Sequence, residues 1–300
     1  MSRLGVGRLS VHMKLSRRQF IAGLAGVATA ACAVPAYARW IEPRWLSIDR
    51  VTIPFFSATV PHPLRVLHLS DFHLSRVVPL TLIERAVRVG IAGQPDLAVI
   101  TGDLITKELH QHNAYVRVLR ELTDRMPVYA VLGNHDGGRW ARARGGYPDT
   151  HAVRGLFAHS GIHLLHNASV PVRHGDRTLW LIGVGDLWAD EMDAEQAFRD
   201  VPGTASTGRI LLAHNPDSKD ALGDRNWELM LSGHTHGGQV ALPFLGTPMA
   251  PVRDHRYVSG LNRWRDRWIY TTRGVGNLHG IRFNCRPEIS LLELTEATRS

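Results

Sequence analysis

The sequence predicts an α/β fold, on two observations. Short apolar runs of strand length alternate with segments of helical periodicity, and polar clusters of one chemical kind recur where those runs end. The runs are Leu64 to Leu69, Leu97 to Ile100, Val128 to Leu132, Leu179 to Val184, Ile210 to Ala213 and Leu229 to Leu231. They are rich in Leu, Val and Ile and carry almost no alternation, as strands covered on both faces do. Between them, Leu82, Ala86, Val87 and residues 89–91 make one apolar helical face, with Thr81 and Glu84 spaced as a capping box. Glu108 to Leu122 and His151 to His159 are the next helices, and Gln94-Pro95 and Met126-Pro127 stop the chain before a strand. Alternation of this sort builds mostly parallel sheets, whose ligands gather beyond the carboxyl ends of the strands.

At those ends stand Asp71-Phe72-His73, Gly102-Asp103, Gly133-Asn134-His135-Asp136, His214 and Gly233-His234-Thr235-His236. Two carboxylates, an amide and several imidazoles exceed what one ion needs and suit two divalent cations. Asp71, His73, Asp103 and His236 suit the first; Asp103, Asn134, His214 and His234 suit the second, with Asp103 bridging. Carboxylate and imidazole donors accept Mn, Fe, Zn or Ni. Two ions about 3.5–4 Å apart clamp a phosphoryl group and acidify a shared water, which becomes the nucleophile. His135, beside a ligand, is free to protonate the leaving oxygen, with Asp136 as its orienting partner.

Composition narrows the class. An apolar fraction of 44% in 300 residues excludes a disordered chain. The formal charge of +8 favours anionic partners, but the arginines are scattered and no aromatic-plus-basic motif is present, so no specific nucleic-acid partner is expected. The two cysteines are Cys32 and Cys285; with Cys32 in a leader, the mature chain has no internal disulfide.

The leader is read from Ser16-Arg17-Arg18-Gln19-Phe20-Ile21, which resembles a twin-arginine export motif. An uncharged apolar stretch over residues 21–34 and Ala36-Tyr37-Ala38 as a cleavage site follow it. The expected organisation is a signal over residues 1–38, with Met13 an alternative start, an N-terminal extension over 39–61 and one domain over 62–296. The twin-arginine export machinery is then a partner, and the destination is the periplasm or the outer face of the cytoplasmic membrane.

The ordered series Asp71-x-His73, Gly102-Asp103, Gly133-Asn134-His135-Asp136, His214, Gly233-His234-x-His236 resembles the calcineurin-like metallophosphoesterases over about residues 62–294. That resemblance implies a four-layer αββα sandwich, a dinuclear centre with the ligands above, and His135 as the catalytic histidine. The export signal, Gly237-Gly238-Gln239 and the ending Arg286-Pro287-Glu288-Ile289 look closest to the exported bacterial phosphodiesterases, whose relatives include UDP-diacylglucosamine hydrolases. Gly280-Ile281-Arg282 departs from the Pro that relatives carry before this Arg.

Arg282, Arg273 and His279 are candidate substrate contacts, Asp186 a candidate support for a ligand histidine, and His68 a core histidine. Trp264 and Trp268 either pack or touch a membrane. The expected activity is metal-dependent hydrolysis of phosphodiesters or pyrophosphates. One alternative is a UDP-2,3-diacylglucosamine-type or phospholipid hydrolase acting on a lipid-linked ester at the membrane surface. Another, of a different class, is a non-catalytic metal-binding envelope protein.

Overall fold

The computed structural model describes residues 16–18, 31–56, 62–203 and 208–296. The chain divides into a unit ending at Tyr37 and one beginning at Ala38. In the first, residues 31–36 are helical; the twin-arginine motif beyond Arg18 and most of the expected apolar stretch lie outside the described residues. No described helix is long and apolar enough to cross a membrane.

Among its described residues the second unit has twelve strands in two six-stranded sheets. In chain order they are β1 (Ser47–Phe56), β2 (Leu64–Leu69), β3 (Leu97–Thr101), β4 (Val128–Val131), β5 (His163–Leu164), β6 (Ala168–His174), β7 (Arg177–Gly183), β8 (Arg209–Leu212), β9 (Leu229–Ser232), β10 (Gly260–Trp264), β11 (Arg267–Thr271) and β12 (Glu288–Glu296). The first sheet runs β1-β12-β2-β3-β4-β5 and the second β10-β11-β9-β8-β7-β6. In the first sheet β2 to β5 are parallel and the single antiparallel pair, β12–β2, joins them to the parallel pair β1–β12; in the second, β7, β8, β9 and β11 are parallel and the rim pairs β6–β7 and β10–β11 antiparallel.

Alternate residues of each strand face opposite sides, and both sides are apolar. Val66, Val99, Leu181, Ile210, Leu212 and Leu231 fill the space between the sheets. Leu67, Leu69, Ala98 and Ile100 face outward and are covered by α1 (Leu80–Ala92), α2 (His112–Thr123) and, after the short α3 (Gly138–Arg142), α4 (His151–Ser160). On the other outer face Ile182, Leu211, Met230 and Ile269 meet Ala197 of α5 (Ala194–Phe198), Leu222 just beyond α6 (Ser218–Ala221), Trp227 and Tyr257. The result is a four-layer αββα sandwich, as the resemblance implied. Trp264 stacks on Trp227 with ring centroids 5.5 Å apart, and Trp268 donates its indole N–H to the Pro54 carbonyl at 3.1 Å, so both pack.

Three expectations are corrected. Residues 47–56 are not an extension ahead of the domain: they form β1, in parallel register with β12 from Ser47–Glu288 onward. Thr81 does not cap α1, because the extended Pro79 sets the helix start at Leu80 and Thr81 falls inside the first turn. The helix expected from Glu108 begins at His112, because Gln111 adopts left-handed backbone with φ 57°.

Candidate metal centre

Five loops leave the carboxyl ends of β2, β3, β4, β8 and β9 and carry the predicted polar residues into one place between the sheets. The first two loops continue the β2–β3 pairing beyond the strands. Asp71 N–H donates to the Gly102 carbonyl at 3.0 Å and His73 N–H to the Asp103 carbonyl at 2.9 Å. Close approach then demands glycine. A Cβ on Gly133 would sit 2.3 Å from Asp103 Oδ1, and one on Gly233 would sit 2.0 Å from Ser70 Oγ and 2.3 Å from Asp71 Oδ2. Asp71, His73, Asp103, His234 and His236 all have φ between 47° and 70°. Left-handed backbone at five neighbouring non-glycine residues costs on the order of 1 kcal/mol each, strain that the packed loops hold in place.

Side-chain atoms converge accordingly. Asp71, His73, Asp103 and His236 each offer a donor atom within 4.8 Å of the others. His73 Nε2 faces His236 Nε2 at 3.0 Å and Asp103 Oδ2 at 3.3 Å, while His236 Nε2 lies 3.4 Å from Asp71 Oδ1. Beside this group, His214 Nε2 lies 3.2 Å from Asp103 Oδ2 and 3.2 Å from His234 Nδ1. Asp103 Oδ2 therefore stands between the two histidine pairs. His214 is oriented from behind, donating Nδ1–H to the Thr101 carbonyl at 2.6 Å. Asn134 Oδ1, His234 Nε2 and His236 Nδ1 are buried and have no hydrogen-bond partner among the described residues. All seven side chains are at most 4% exposed.

This donor set fits divalent cations. Two imidazole nitrogens 3.0 Å apart beside carboxylate oxygens have no stable arrangement without either a shared proton or a cation. Burial lowers His73 to about 4 and holds His234 and His236 well below the ordinary imidazole range. Burial works against ionisation of Asp103, but His214, His135 and His73 around it hold it well below the usual carboxylate range. Burial likewise opposes a charge on His214, yet Asp103, Asp71 and Asp186 raise it. Burial pushes Asp71 up to about 6. His73, His234 and His236 are thereby held neutral beside an ionised Asp103, the states metal ligands require, whereas His214, raised by the carboxylates, must give up a proton to bind an ion.

His135 differs from these residues. It is half-buried, its ring centroid lies 4.8 Å from that of His73, and its Nδ1–H donates to the Thr106 carbonyl at 2.8 Å. The Thr106 carbonyl therefore orients His135, in place of the predicted Asp136. The Asp136 carboxylate is fully buried and accepts the N–H groups of Asp103 at 2.8 Å, Leu104 at 2.7 Å and Gly133 at 2.9 Å. It ties the β3 and β4 loops together, and nothing joins it to the His135 ring. Burial, with Asp103 adding to it, pushes its carboxyl up to about 7, against the pull of the Gly133 and Leu104 N–H groups.

Arg282 is also reassigned. Its guanidinium is fully buried and donates to the carbonyls of Gly276, His236, Cys285, Arg273 and Gly274. With its donors committed to backbone, none remains for a phosphate. Arg273 pairs with Asp49 at 2.9 Å and with Glu288 at 3.2 Å, which likewise removes it from substrate. His279 is exposed on the same loop and no contact joins it to the cluster. Asp186 Oδ1 accepts the N–H groups of Trp188 and Ala189, both at 2.8 Å, and touches no ligand histidine.

Two indoles at the site carried no signal in the sequence. Trp188 stands edge-on to His234 with centroids 4.2 Å apart, and Trp140 packs on His135 at 4.7 Å. The two indoles lie 6.0 Å from each other and form an aromatic wall beside the cluster. On another side, a cleft of about 330 Å³ is lined by Leu74, Val77, Thr106, Lys107 and Leu278.

Residues 64–238 match the calcineurin-like phosphoesterase family. The chain belongs to the calcineurin-like phosphoesterases. Over 93% of its length it is 40% identical to phosphodiesterase YaeI of Escherichia coli, covering 99% of that protein. It is 32% identical over 94% of its length to the metallophosphoesterase YkuE of Bacillus subtilis, covering 98% of that chain. It is 26% identical over 85% of its length to the UDP-2,3-diacylglucosamine pyrophosphatase LpxG of Chlamydia trachomatis, covering 91% of it. Within this family the chain is an enzyme, a hydrolase of phosphate esters, and the Asp/His cluster is its candidate site for divalent metal.

Proposed function

We propose that this calcineurin-like phosphoesterase hydrolyses phosphodiesters or pyrophosphates, with His135 as the acid that protonates the leaving oxygen. The observation that carries the reading is the placement of His135. It is half-buried at the edge of the cluster, with Nδ1–H held by the Thr106 carbonyl and Nε2 left for substrate, whereas the neighbouring histidines are buried. In the imidazolium form Nε2–H faces the leaving oxygen and Nδ1–H stays on the carbonyl, which stabilises the charge. Water attacks phosphorus and loses a proton to solvent, the P–O bond to the leaving group breaks, the Nε2 proton passes to the departing oxygen, and His135 takes up a proton from solvent before the next turnover.

Asp71, His73, Asp103 and His236 would hold one divalent ion, and Asp103, Asn134, His214 and His234 a second. Bound there, such ions supply positive charge to phosphoryl oxygens and acidify water at neutral pH. Thr101 and Asp136 position the site, the first through the His214 Nδ1–H bond and the second through the N–H groups of the loops.

The test is hydrolysis of bis(p-nitrophenyl) phosphate by metal-loaded protein. His135→Ala is expected to lose 10²–10⁴-fold in kcat, the usual range for a general acid, with metal content kept. Asp103→Asn is expected to lose both metal and turnover. Wild-type rates in both variants, with metal bound, would refute the mechanism.

A lipid-linked substrate is a second reading. It is supported by the relative that acts on UDP-2,3-diacylglucosamine and by the apolar side chains of Leu74, Val77 and Leu278 in the cleft beside Thr106. Export by the twin-arginine route, with the hydrolase working outside the cytoplasm, is part of the same proposal; Arg17-Arg18 and the apolar residues after them support it.

A further inference from the structure

Residues 242–246 make a tight reversal, closed by Leu242 N–H on the Gly246 carbonyl at 2.8 Å and Gly246 N–H on the Leu242 carbonyl at 3.0 Å. Its tip is Pro243-Phe244-Leu245. Phe244 is fully exposed and Leu245 is 73% exposed. Phe244 also has left-handed backbone, φ 65°. Reversals in water carry Gly, Asn, Asp or Ser at such positions, because these residues tolerate the backbone and hydrate well. A phenylalanine there combines an unfavourable backbone with an unfavourable exposure, and the described chain offers its ring no packing. Strain kept at an exposed apolar side chain points to a partner outside the fold.

The reversal is fixed to the loop that carries His236. Gly238 lies so close under it that a Cβ would meet Thr247 Cβ at 2.6 Å, and Ala241 N–H donates to the Phe283 carbonyl at 2.8 Å. The segment leading to Phe283 exposes Ile281, and it is joined to residues 38–41 by Arg282 N–H on the Ala38 carbonyl at 3.0 Å and Arg39 Nη1 on the Gly280 carbonyl at 3.1 Å. Those residues expose Trp40 and Ile41, at 62% and 54%. Exposed cations lie beside Trp40 and Ile41 in the sequence: the guanidinium groups of Arg39 and Arg44 donate to the Gly280 and Trp40 carbonyls and have no carboxylate partner among the described residues.

We infer that this face docks on a lipid bilayer with anionic headgroups. Phe244 and Leu245 enter the acyl boundary, Trp40 sits at the headgroup level, and the arginines meet lipid phosphates. The most exposed apolar residue stands on a projecting tip, a shape that suits a deformable bilayer better than a packed protein interface. Residues 39–300, without the five basic residues of the first 38, still carry a net charge of +3, of the sign that complements anionic lipid.

The inference does not depend on the hydrolytic reading, and its test reads binding alone. In the full chain with Cys32→Ser, Phe244→Cys is labelled with an environment-sensitive fluorophore and mixed with vesicles of phosphatidylcholine, with and without phosphatidylglycerol. Asp176→Cys, at the β6–β7 turn, is the control. A blue shift and quenching by brominated lipid at position 244 but not 176, strongest with phosphatidylglycerol and weakened by salt, is the expected result. A label at 244 that ignores both vesicles, or that shifts only as protein concentration rises, overturns the inference; the latter assigns the tip to contact between copies. Phe244→Ser with Leu245→Ser is expected to cut vesicle partitioning about tenfold and leave turnover of a soluble diester unchanged.

Discussion

Arg282 and His68 show how the same side-chain types serve scaffold rather than chemistry. Arg282 gathers the carbonyls of five residues on three segments, His236, residues 273–276 and Cys285, and so fastens the loops behind the metal cluster. Arg282→Lys keeps the charge but has three donors without the planar fork. It is expected to destabilise the fold by about 2–3 kcal/mol, the scale of a buried polar group left unmet, and to lower Tm while KM for a soluble diester stays put. A raised KM with unchanged Tm would return Arg282 to the substrate. His68 is fully buried in β2, bonded through Nε2 to Thr101 Oγ1 at 2.8 Å, with Nδ1 unpartnered among the described residues. Burial lowers it to about 3. Since the folded value lies below the unfolded value near 6.5, the contribution is complete above pH 6.5 and is lost as pH falls towards 3. By pH 4 the loss is about 3 kcal/mol. Denaturant titrations of His68→Gln between pH 7 and 4 should show a correspondingly shallower decline than the wild type.

At the scale of loops and strands, the site depends on backbones meeting. Gly233→Ala puts a methyl group where Ser70 Oγ and Asp71 Oδ2 already stand. The loop after β9 must then retreat from the loop after β2, separating His234 and His236 from Asp71 and His73. At least a hundredfold loss of turnover and substoichiometric metal by elemental analysis are expected, since displacements near 1 Å already cost that much in catalysis. Much of this was legible beforehand. The ligands follow strands that read as unbroken Leu, Val and Ile runs, and β2 ends where its run ends, at Leu69. What stayed hidden had no local pattern. β1 carries exposed Ile48 on a half-covered rim, and its partner β12 lies at the far end of the chain, so only the pairing reveals it. The Thr106 carbonyl that orients His135 is backbone, and side-chain motifs do not report backbone donors and acceptors. Asp136 and Arg282 do not take the roles the motifs suggested, because their backbone partners depend on how five loops fold over one another.

For the whole molecule, the cluster joins the two sheets, and metal bound there is bound only by the folded state. Ion at a hundred times its dissociation constant then adds about 2.7 kcal/mol. For a domain of this size each kcal/mol moves Tm by about 2–4 °C. Removing metal with a chelator is therefore expected to lower Tm by about 5–10 °C by calorimetry, and readdition should restore it. An unchanged Tm would mean that the cluster holds no ion in the purified protein.

The partition of ligands between the sheets also sets a calendar. Asp71, His73, Asp103 and Asn134 leave the ribosome long before His214, His234 and His236, and the facing pair His73 and His236 are 163 residues apart. A nascent chain thus offers half-sites too poor in donors to choose among metals. Discrimination begins only when the second sheet has been made and docked, so the ion that settles there is the one available to a finished fold.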